Sequence, residues 1–135
     1  MVTVLFACVH NAGRSQMAAA LFNALADPTK AHAMSAGTQP ADQVNPVVVQ
    51  AMREIALDVS AATPQRLTPA LAAQAQWLIT MGCGDECPVV AGVERDDWAL
   101  DDPAQKPIAY VRAVRDEIQR RVQQFVYSHD LGRTL

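Results

Sequence analysis

The feature that most constrains this chain is its opening, "VTVLFACVHNAGRSQMAAALF", where an apolar run ends at a cysteine and a helix-forming run follows a short loop. Residues 2–9 are apolar on both faces, which is typical of a strand buried inside a parallel sheet. Residues 14–26 are rich in helix formers, with large apolar side chains four residues apart. A strand, a loop and a helix in this order favour an α/β fold.

The rest of the chain continues the alternation, which predicts a parallel sheet with helices on both faces and one domain over residues 1–135. Asn45 before Pro46 and Thr68 before Pro69 are N-cap pairs that predict two helix starts. The charged stretch 115–121 is predicted to be a solvated helix face. The other predicted elements are strands at 31–37 and 76–81, helices at 46–56 and 108–129, a third helix within 67–75 that begins at Pro69, and a possible short strand within the loop 88–107.

Charge and cysteine content exclude some classes of function. The formal net charge is -3, so the chain has no basic face suited to a nucleic-acid backbone. The apolar start is too short to span a membrane and lacks the basic flank of a secretory signal, so we expect a cytoplasmic protein. Three cysteines, Cys8, Cys83 and Cys87, favour catalysis, redox cycling or metal binding over a structural disulfide framework.

The loop between the first strand and the first helix predicts an oxyanion site. Ligands of parallel α/β sheets bind beyond the carboxyl ends of the strands, where Cys8 stands. Backbone N–H groups of the loop and the start of the helix bind a tetrahedral anion and favour a thiolate at Cys8. Arg14 offers a bidentate fork, and Ser15 can donate to the sulfur. The candidate substrate-binding residues are Val9, His10 (expected to be exposed), Asn11, Ala12, Gly13, Arg14 and Ser15.

The segment "CVHNAGRSQMA" resembles the phosphate-loop signature of low-molecular-weight protein tyrosine phosphatases and of the arsenate reductases built on that fold, and "RSQMA" is closer to the reductases. The resemblance continues through "SAGT", "WLITMGCGDECP", "DWALDDP" and "VRAVRDEI". It implies a flavodoxin-like three-layer fold with a four-stranded parallel sheet. It also implies reduction of arsenate to arsenite in the cytosol, with no tightly bound cofactor and no metal.

The same resemblance assigns roles to individual residues. Cys8 is then the nucleophile that attacks arsenic, and Asp102 is the general acid, while Asp101 is expected to be solvated. On the pattern of the thioredoxin-coupled members, Cys83 attacks second and Cys87 third, which leaves a Cys83–Cys87 disulfide. An external donor, either thioredoxin or a glutaredoxin-like protein or small thiol, reopens it. This relay predicts that the segment from Gly82 to Val93 rearranges.

Several alternatives stay open. One alternative is a phosphatase of this family, whose cycle needs no second thiol. Against it, Ala104 stands where phosphatases carry an aromatic residue after the acid. A reductase that uses a low-molecular-weight thiol needs only Cys8. A zinc site would use Cys8, His10, Cys83 and Cys87, with Arg14 repelling the cation. A non-enzymatic oxyanion sensor would need the anion-binding loop but not three thiols, so cysteine substitution would leave its function intact. The chain is expected to be a monomer that binds neither nucleic acid nor membrane.

Overall fold

The structure, a computed structural model, describes residues 1–82 and 87–133. Its elements alternate along the chain, and the sheet has the strand order β2-β1-β3-β4 with every pair parallel, which confirms the predicted fold class. No helix in this described part is long and apolar enough to cross a membrane. The elements are β1 Val2–Cys8, α1 Arg14–Leu25, β2 Ala31–Gly37, α2 Pro46–Arg53, α3 Pro69–Ala72, β3 Trp77–Thr80, β4 Glu94–Asp97 and α4 Ile108–Ser128.

The first strand separates two hydrophobic cores. Alternate side chains of a strand point to opposite faces of the sheet. Val4, Phe6 and Cys8 therefore join a core that α1, α2 and α4 cover. Leu5 and Ala7 join a smaller core that is covered by the segment 67–75, which contains α3. Helices thus lie on both faces, and the burial of β1 on both sides explains its lack of polar alternation.

Both predicted N-caps are present. The side chain of Asn45 accepts a hydrogen bond from the backbone N–H of Val47 at 2.9 Å. The hydroxyl of Thr68 accepts one from Leu71 at 3.1 Å. Each side chain satisfies a donor that the first helical turn leaves without a partner in the helix. These caps fix where α2 and α3 begin, and α2 begins beside the loop that follows Cys8.

The second helix ends earlier than predicted. Its last residue is Arg53, whereas the sequence pattern predicts a helix to residue 56. Ala56 adopts a left-handed conformation with φ 64°, and the N–H of Leu57 donates to the carbonyl of Met52 at 3.0 Å. A left-handed residue with such a backward bond is a common way for a helix to end. Alanine gives no sequence signal for this conformation, since glycine is the usual residue there.

The short strand in the loop 88–107 is β4, which pairs with β3 at the edge of the sheet. Its four residues, "ERDD", are all charged. Charged side chains on an edge strand discourage pairing with strands of other molecules. The loop therefore closes the sheet on the side of β3 before the chain turns into α4.

The prediction of a solvated face at 115–121 is wrong for Arg115, which is only 8% exposed. Its Nη1 donates to the carbonyl of Ala51 and to Oε1 of Glu54, both at 2.8 Å, because α4 packs against α2. Arg112 also donates to Glu54, through its Nη2 at 2.6 Å. Hydrogen bonds from Arg112 and Arg115 lower the pKa of Glu54 to about 2. A buried guanidinium thus joins the two helices.

Candidate active site

The thiol of Cys8 lies at the carboxyl end of β1, only 2% exposed and free of any disulfide. Its Sγ is 2.8 Å from Oγ of Ser15. That hydroxyl accepts a hydrogen bond from Nδ2 of Asn11 at 2.7 Å. A hydroxyl has one proton, and the Asn11 contact leaves it available for donation to the sulfur. This arrangement sets a hydroxyl, itself held by Asn11, directly against the sulfur of Cys8.

The backbone of the loop after Cys8 is held with its carbonyl groups turned outward. In a trans peptide the N–H of the next residue points away from the preceding carbonyl, so the amides of this loop turn towards its centre. Inward-pointing amides at the start of a helix form an anion-binding nest. Each carbonyl from Cys8 to Ala12 accepts a hydrogen bond from outside the loop. The backbone donors are the N–H groups of Thr38 (to Cys8, 3.1 Å), Gln39 (to Val9, 2.8 Å), Ala41 (to His10, 2.9 Å) and Asn45 (to Ala12, 2.9 Å), and the side chain of Gln16 donates to Asn11 (3.1 Å).

Asn11 is fully buried at the turn of the loop. Its φ of 50° lies in the left-handed region, which asparagine tolerates better than most residues. Its Oδ1 accepts hydrogen bonds from the N–H of Gln65 at 2.9 Å and from Nε2 of Gln16 at 3.3 Å. Both ends of the side-chain amide are therefore engaged, and the loop shape is determined by contacts with the rest of the fold.

Arg14 begins α1, and its side chain is brought close to the predicted acid. The residue is 6% exposed. Its Nη1 donates to the carbonyl of Leu100 at 3.2 Å, and its Nη2 lies 3.6 Å from Oδ2 of Asp102. A guanidinium has five N–H donors. Within residues 1–82 and 87–133, these two contacts leave donors of Arg14 available for an anion in the loop.

Asp102 lies on an exposed turn that lines the same cavity as Cys8, and its side chain is 48% exposed. Its Oδ1 accepts from the N–H of Ala104 at 2.9 Å, as in an Asx turn. The neighbouring Asp101 is also exposed, as predicted, and it is hydrogen-bonded to the phenol of Tyr110 on α4. Burial and this carboxylate raise the pKa of Tyr110. The turn that carries Asp101 and Asp102 is thus connected to α4 through Tyr110 and to α1 through Arg14.

A cavity of about 370 Å³ opens over Cys8. It brings together most of the predicted site, including His10, which is exposed as expected. The sequence interpretation missed its other wall, although that wall follows β2 and so lies at the same edge of the sheet. Gly13 allows Pro103 to approach, since a Cβ there would lie 3.1 Å from its Cγ. The lining residues are Cys8, His10, Ala12, Gly13, Arg14, Ala41, Gln43, Asn45, Pro46, Asp102, Pro103, Ala104 and Gln105.

Cys87 is not among the residues that line this cavity. It is 3% exposed, belongs to the smaller core on the other face of the sheet, and is disulfide-bonded. Its carbonyl accepts a hydrogen bond from Nη1 of Arg95 at 3.3 Å. Cys83 and the predicted Cys83–Cys87 pairing lie outside the described residues, and the rearrangement of 82–93 stays a prediction. Among the residues described, no three His, Cys, Asp or Glu side chains are grouped to hold a metal ion.

A thiol at the end of a parallel strand, ringed by inward amides and flanked by a buried arginine, is a site with the geometry to bind an anion beside a cysteine, on an α/β fold with a parallel sheet. The sequence profile of the low molecular weight phosphotyrosine protein phosphatase family matches residues 3–134. The chain belongs to this family.

Relatives within this fold include proteins named arsenate reductase. The one from Bacillus licheniformis is 37% identical, with 91% of this chain and 94% of the relative covered. A solved structure, that of a thioredoxin-dependent arsenate reductase from Corynebacterium glutamicum, has 37% sequence identity to this chain and a TM-score of 0.83, with 97% of this chain covered. This chain spans 63% of that protein. The arsenate reductase structure from Archaeoglobus fulgidus is 32% identical, with a TM-score of 0.78, 92% of this chain and 98% of that one covered.

Proposed function

We propose that this protein reduces arsenate to arsenite. The observation that carries the proposal is the loop after Cys8, whose outward carbonyls leave its amides facing the thiol. Arsenate is a tetrahedral oxyanion, and the loop together with Arg14 offers it donors on several sides. Relatives named arsenate reductase at 37% and 32% identity support this substrate.

In the first step the Cys8 thiolate attacks arsenic. A sulfur–arsenic bond forms and one arsenic–oxygen bond breaks. Asp102 donates the proton with which that oxygen leaves as water. The hydrogen bond from Ser15 holds the thiolate before the attack, and Arg14 holds two oxygens of the anion during it. The carboxyl of Asp102 lies on the wall of the same cavity, which supports its role as the acid.

The electrons come from a pair of thiols. We propose that the Cys83 thiolate attacks the sulfur of Cys8, so that a disulfide forms and the sulfur–arsenic electron pair passes to arsenic, which leaves as arsenite. Cys87 then attacks Cys83, which frees Cys8 and leaves a Cys83–Cys87 disulfide. The disulfide-bonded state of Cys87 supports its participation. Its position in the opposite core makes a rearrangement of the segment 82–93 part of the proposal.

An external dithiol must reopen the disulfide. The similarity to the thioredoxin-dependent reductase of Corynebacterium glutamicum favours thioredoxin as that donor. A glutaredoxin-like protein or a small thiol is the alternative. We further propose a monomeric, cytoplasmic protein, in keeping with the reducing compartment in which such donors work.

The test is arsenate-dependent NADPH oxidation with thioredoxin and thioredoxin reductase. It compares the wild type with Cys8→Ser, Cys83→Ser and Cys87→Ser. We expect turnover by the wild type alone. A wild type that turns over with a small thiol and a glutaredoxin-like protein but not with thioredoxin, together with an active Cys87→Ser, would overturn the relay and keep the arsenate site. No arsenate-dependent turnover with either donor would overturn the proposed activity.

A phosphatase is the second candidate, because the family profile carries that description. The wall beyond the acid argues against an aryl phosphate as the main substrate, since Ala104 and Gln105 offer no aromatic surface for its ring. Hydrolysis of a small aryl phosphate, measured beside arsenate reduction on the same preparation, separates the two. A phosphatase would turn over normally as Cys83→Ser, since its cycle uses one thiol.

A further inference from the structure

The guanidinium of Arg14 lies in a narrow slot between two chain segments. On one side the carbonyl of Leu100 accepts from its Nη1 at 3.2 Å. On the other side lies the backbone of Gly82, two residues beyond the end of β3. The N–H of Met81 donates to the carbonyl of Ala7 at 2.7 Å, which holds this backbone against β1. The slot is therefore built from the end of β3 and from the segment that carries Leu100 and Asp102.

Residue 82 has no side chain, and the slot depends on this. A Cβ built on Gly82 would collide with Nη1 of Arg14 and would lie 3.4 Å from its Cζ and 3.9 Å from its Nη2. The three nearest atoms to such a Cβ all belong to the one guanidinium. Gly82 also has a φ of 93°, a conformation that side-chain-bearing residues rarely adopt.

The atom that would collide is the end of a flexible side chain. A methyl group at residue 82 is therefore accommodated by displacing the guanidinium, since the preceding residue, Met81, is hydrogen-bonded to Ala7 of β1 and the rearrangement proposed for the relay begins beyond that bond. Arg14 would then lose its contact with Leu100 and the orientation of its fork. Bidentate recognition of an oxyanion depends on that orientation.

We propose that Gly82 is a positioning residue for the oxyanion site. Because it has no side chain, it leaves room for the guanidinium of Arg14 in the orientation that directs it at the anion. This inference rests on the proposed function, because it takes the loop after Cys8 as the place where the anion binds. It assigns Gly82 a part in substrate affinity, although it lies outside the phosphate-loop motif and contributes no functional group of its own.

Gly92 supplies a matched control. It has a similar conformation, with φ 82°, but a Cβ built there would meet no heavy atom within 4 Å. Gly82→Ala and Gly92→Ala therefore both force an alanine into a backbone conformation with positive φ, but only the new methyl group at residue 82 contacts Arg14. A comparison of the two separates backbone strain from the displacement of the guanidinium.

The experiment is calorimetric titration with inorganic phosphate as the probe, together with the melting temperature and the KM for arsenate. It uses the wild type, Gly82→Ala, Gly92→Ala, Arg14→Ala and the double variant Gly82→Ala/Arg14→Ala. We expect comparable thermal destabilisation by the two glycine substitutions. For Gly82→Ala alone among them, we expect the Kd for phosphate and the KM for arsenate to rise about 10-fold to 100-fold. In the Arg14→Ala background the same substitution should change the Kd by less than about twofold.

Wild-type affinity in Gly82→Ala, or equal weakening with and without Arg14, overturns the inference. A wild type that fails to bind phosphate overturns the proposed oxyanion site instead. If Gly82→Ala does not fold, the wild type decides the matter by nuclear magnetic resonance. A nuclear Overhauser effect between the Hα of Gly82 and the guanidinium protons of Arg14 is expected, and its absence overturns the inference.

Discussion

Two regions of this protein bury an arginine to nearly the same extent, and they use it differently. Arg14, beside the thiol, is 6% exposed, and Arg115, between α2 and α4, is 8% exposed. Arg115 has three close partners, at 2.8 to 2.9 Å, two of which are carboxylates. Among the described residues, Arg14 contacts one carbonyl at 3.2 Å and one carboxylate at 3.6 Å.

A buried arginine whose N–H donors are bonded to close partners has few donors left for a ligand, and its removal leaves those partners without hydrogen bonds. A buried charge with long contacts and spare donors is prepared for a group that the fold does not supply. Burial by itself therefore does not distinguish an arginine that binds a ligand from one that stabilises the fold. The number and length of its contacts within the protein make that distinction.

The largest effect is expected from Arg14→Ala. Removal of the fork should lower kcat/KM for arsenate about 10³-fold, because its donors are used on the anion. The free energy of unfolding in anion-free buffer should stay near that of the wild type, since the hydrogen bond and ion pair that Arg14 makes within the protein are long. Steady-state kinetics and urea unfolding check the two parts. A loss of stability as large as that of Arg115→Ala would contradict the comparison.

Asp102→Asn should lower kcat about 10²-fold, because the amide cannot supply the proton to the departing oxygen. Phosphate affinity should be kept or improved, since a negative charge near the anion is removed. The check is kcat measured beside phosphate inhibition. Asp101→Asn is the matched control on the same turn and should keep most of the activity. An Asp102→Asn protein with wild-type kcat would remove the residue from the mechanism.

Arg115→Ala should cost about 2 to 3 kcal/mol of unfolding free energy, because it leaves the buried carbonyl of Ala51 without its donor and removes one of the two arginines that bind Glu54. The KM for arsenate should not change, since the α2 partners of Arg115, Ala51 and Glu54, do not line the cavity. Urea denaturation measures the first part. Arg120→Ala, on the same helix with a side chain that is 66% exposed, is the control and should be nearly neutral.

The smallest effect is a pH dependence at Glu54. Its pKa is lowered from 4.5 to about 2 by Arg112 and Arg115, so its ionised form stabilises the fold fully above pH 4.5. That contribution is lost as the pH falls from about 4.5 towards 2. Glu54→Gln should therefore be less stable than the wild type at pH 7, with a gap that narrows in acid. Thermal unfolding at pH 7, 4 and 3 checks this, and a gap that widens in acid would contradict it.

Much of this fold is predictable from the sequence, because local signals and tertiary packing agree. The caps at Asn45 and Thr68 and the apolar run of β1 specify their elements without help from distant residues. The end of α2 is not predictable, since Ala56 enters a conformation that its residue type does not favour. The burial of Arg115 is equally hidden, because spacing within one helix says nothing about the helix that covers it.

The candidate site divides in the same way. Residues that are contiguous in sequence, from Cys8 to Ser15, can be proposed together as a cradle for an anion. The cavity wall formed by Ala41, Gln43 and Asn45 depends on where β2 delivers the chain, which only the assembled sheet defines. The contact between Gly82 and Arg14 joins two residues that are distant in the chain, and no local pattern indicates it.

The inward amides of the loop after Cys8 have a consequence for selectivity inside a cell. They recognise the shape and charge of a tetrahedral anion, and phosphate shares both with arsenate. Such a cradle is expected to hold either anion, so abundant phosphate competes with every encounter. Discrimination must then arise after binding, because arsenic accepts the electron pair of its bond to sulfur and phosphorus does not. The reaction with the thiols, and not binding in the loop, then distinguishes arsenate from phosphate.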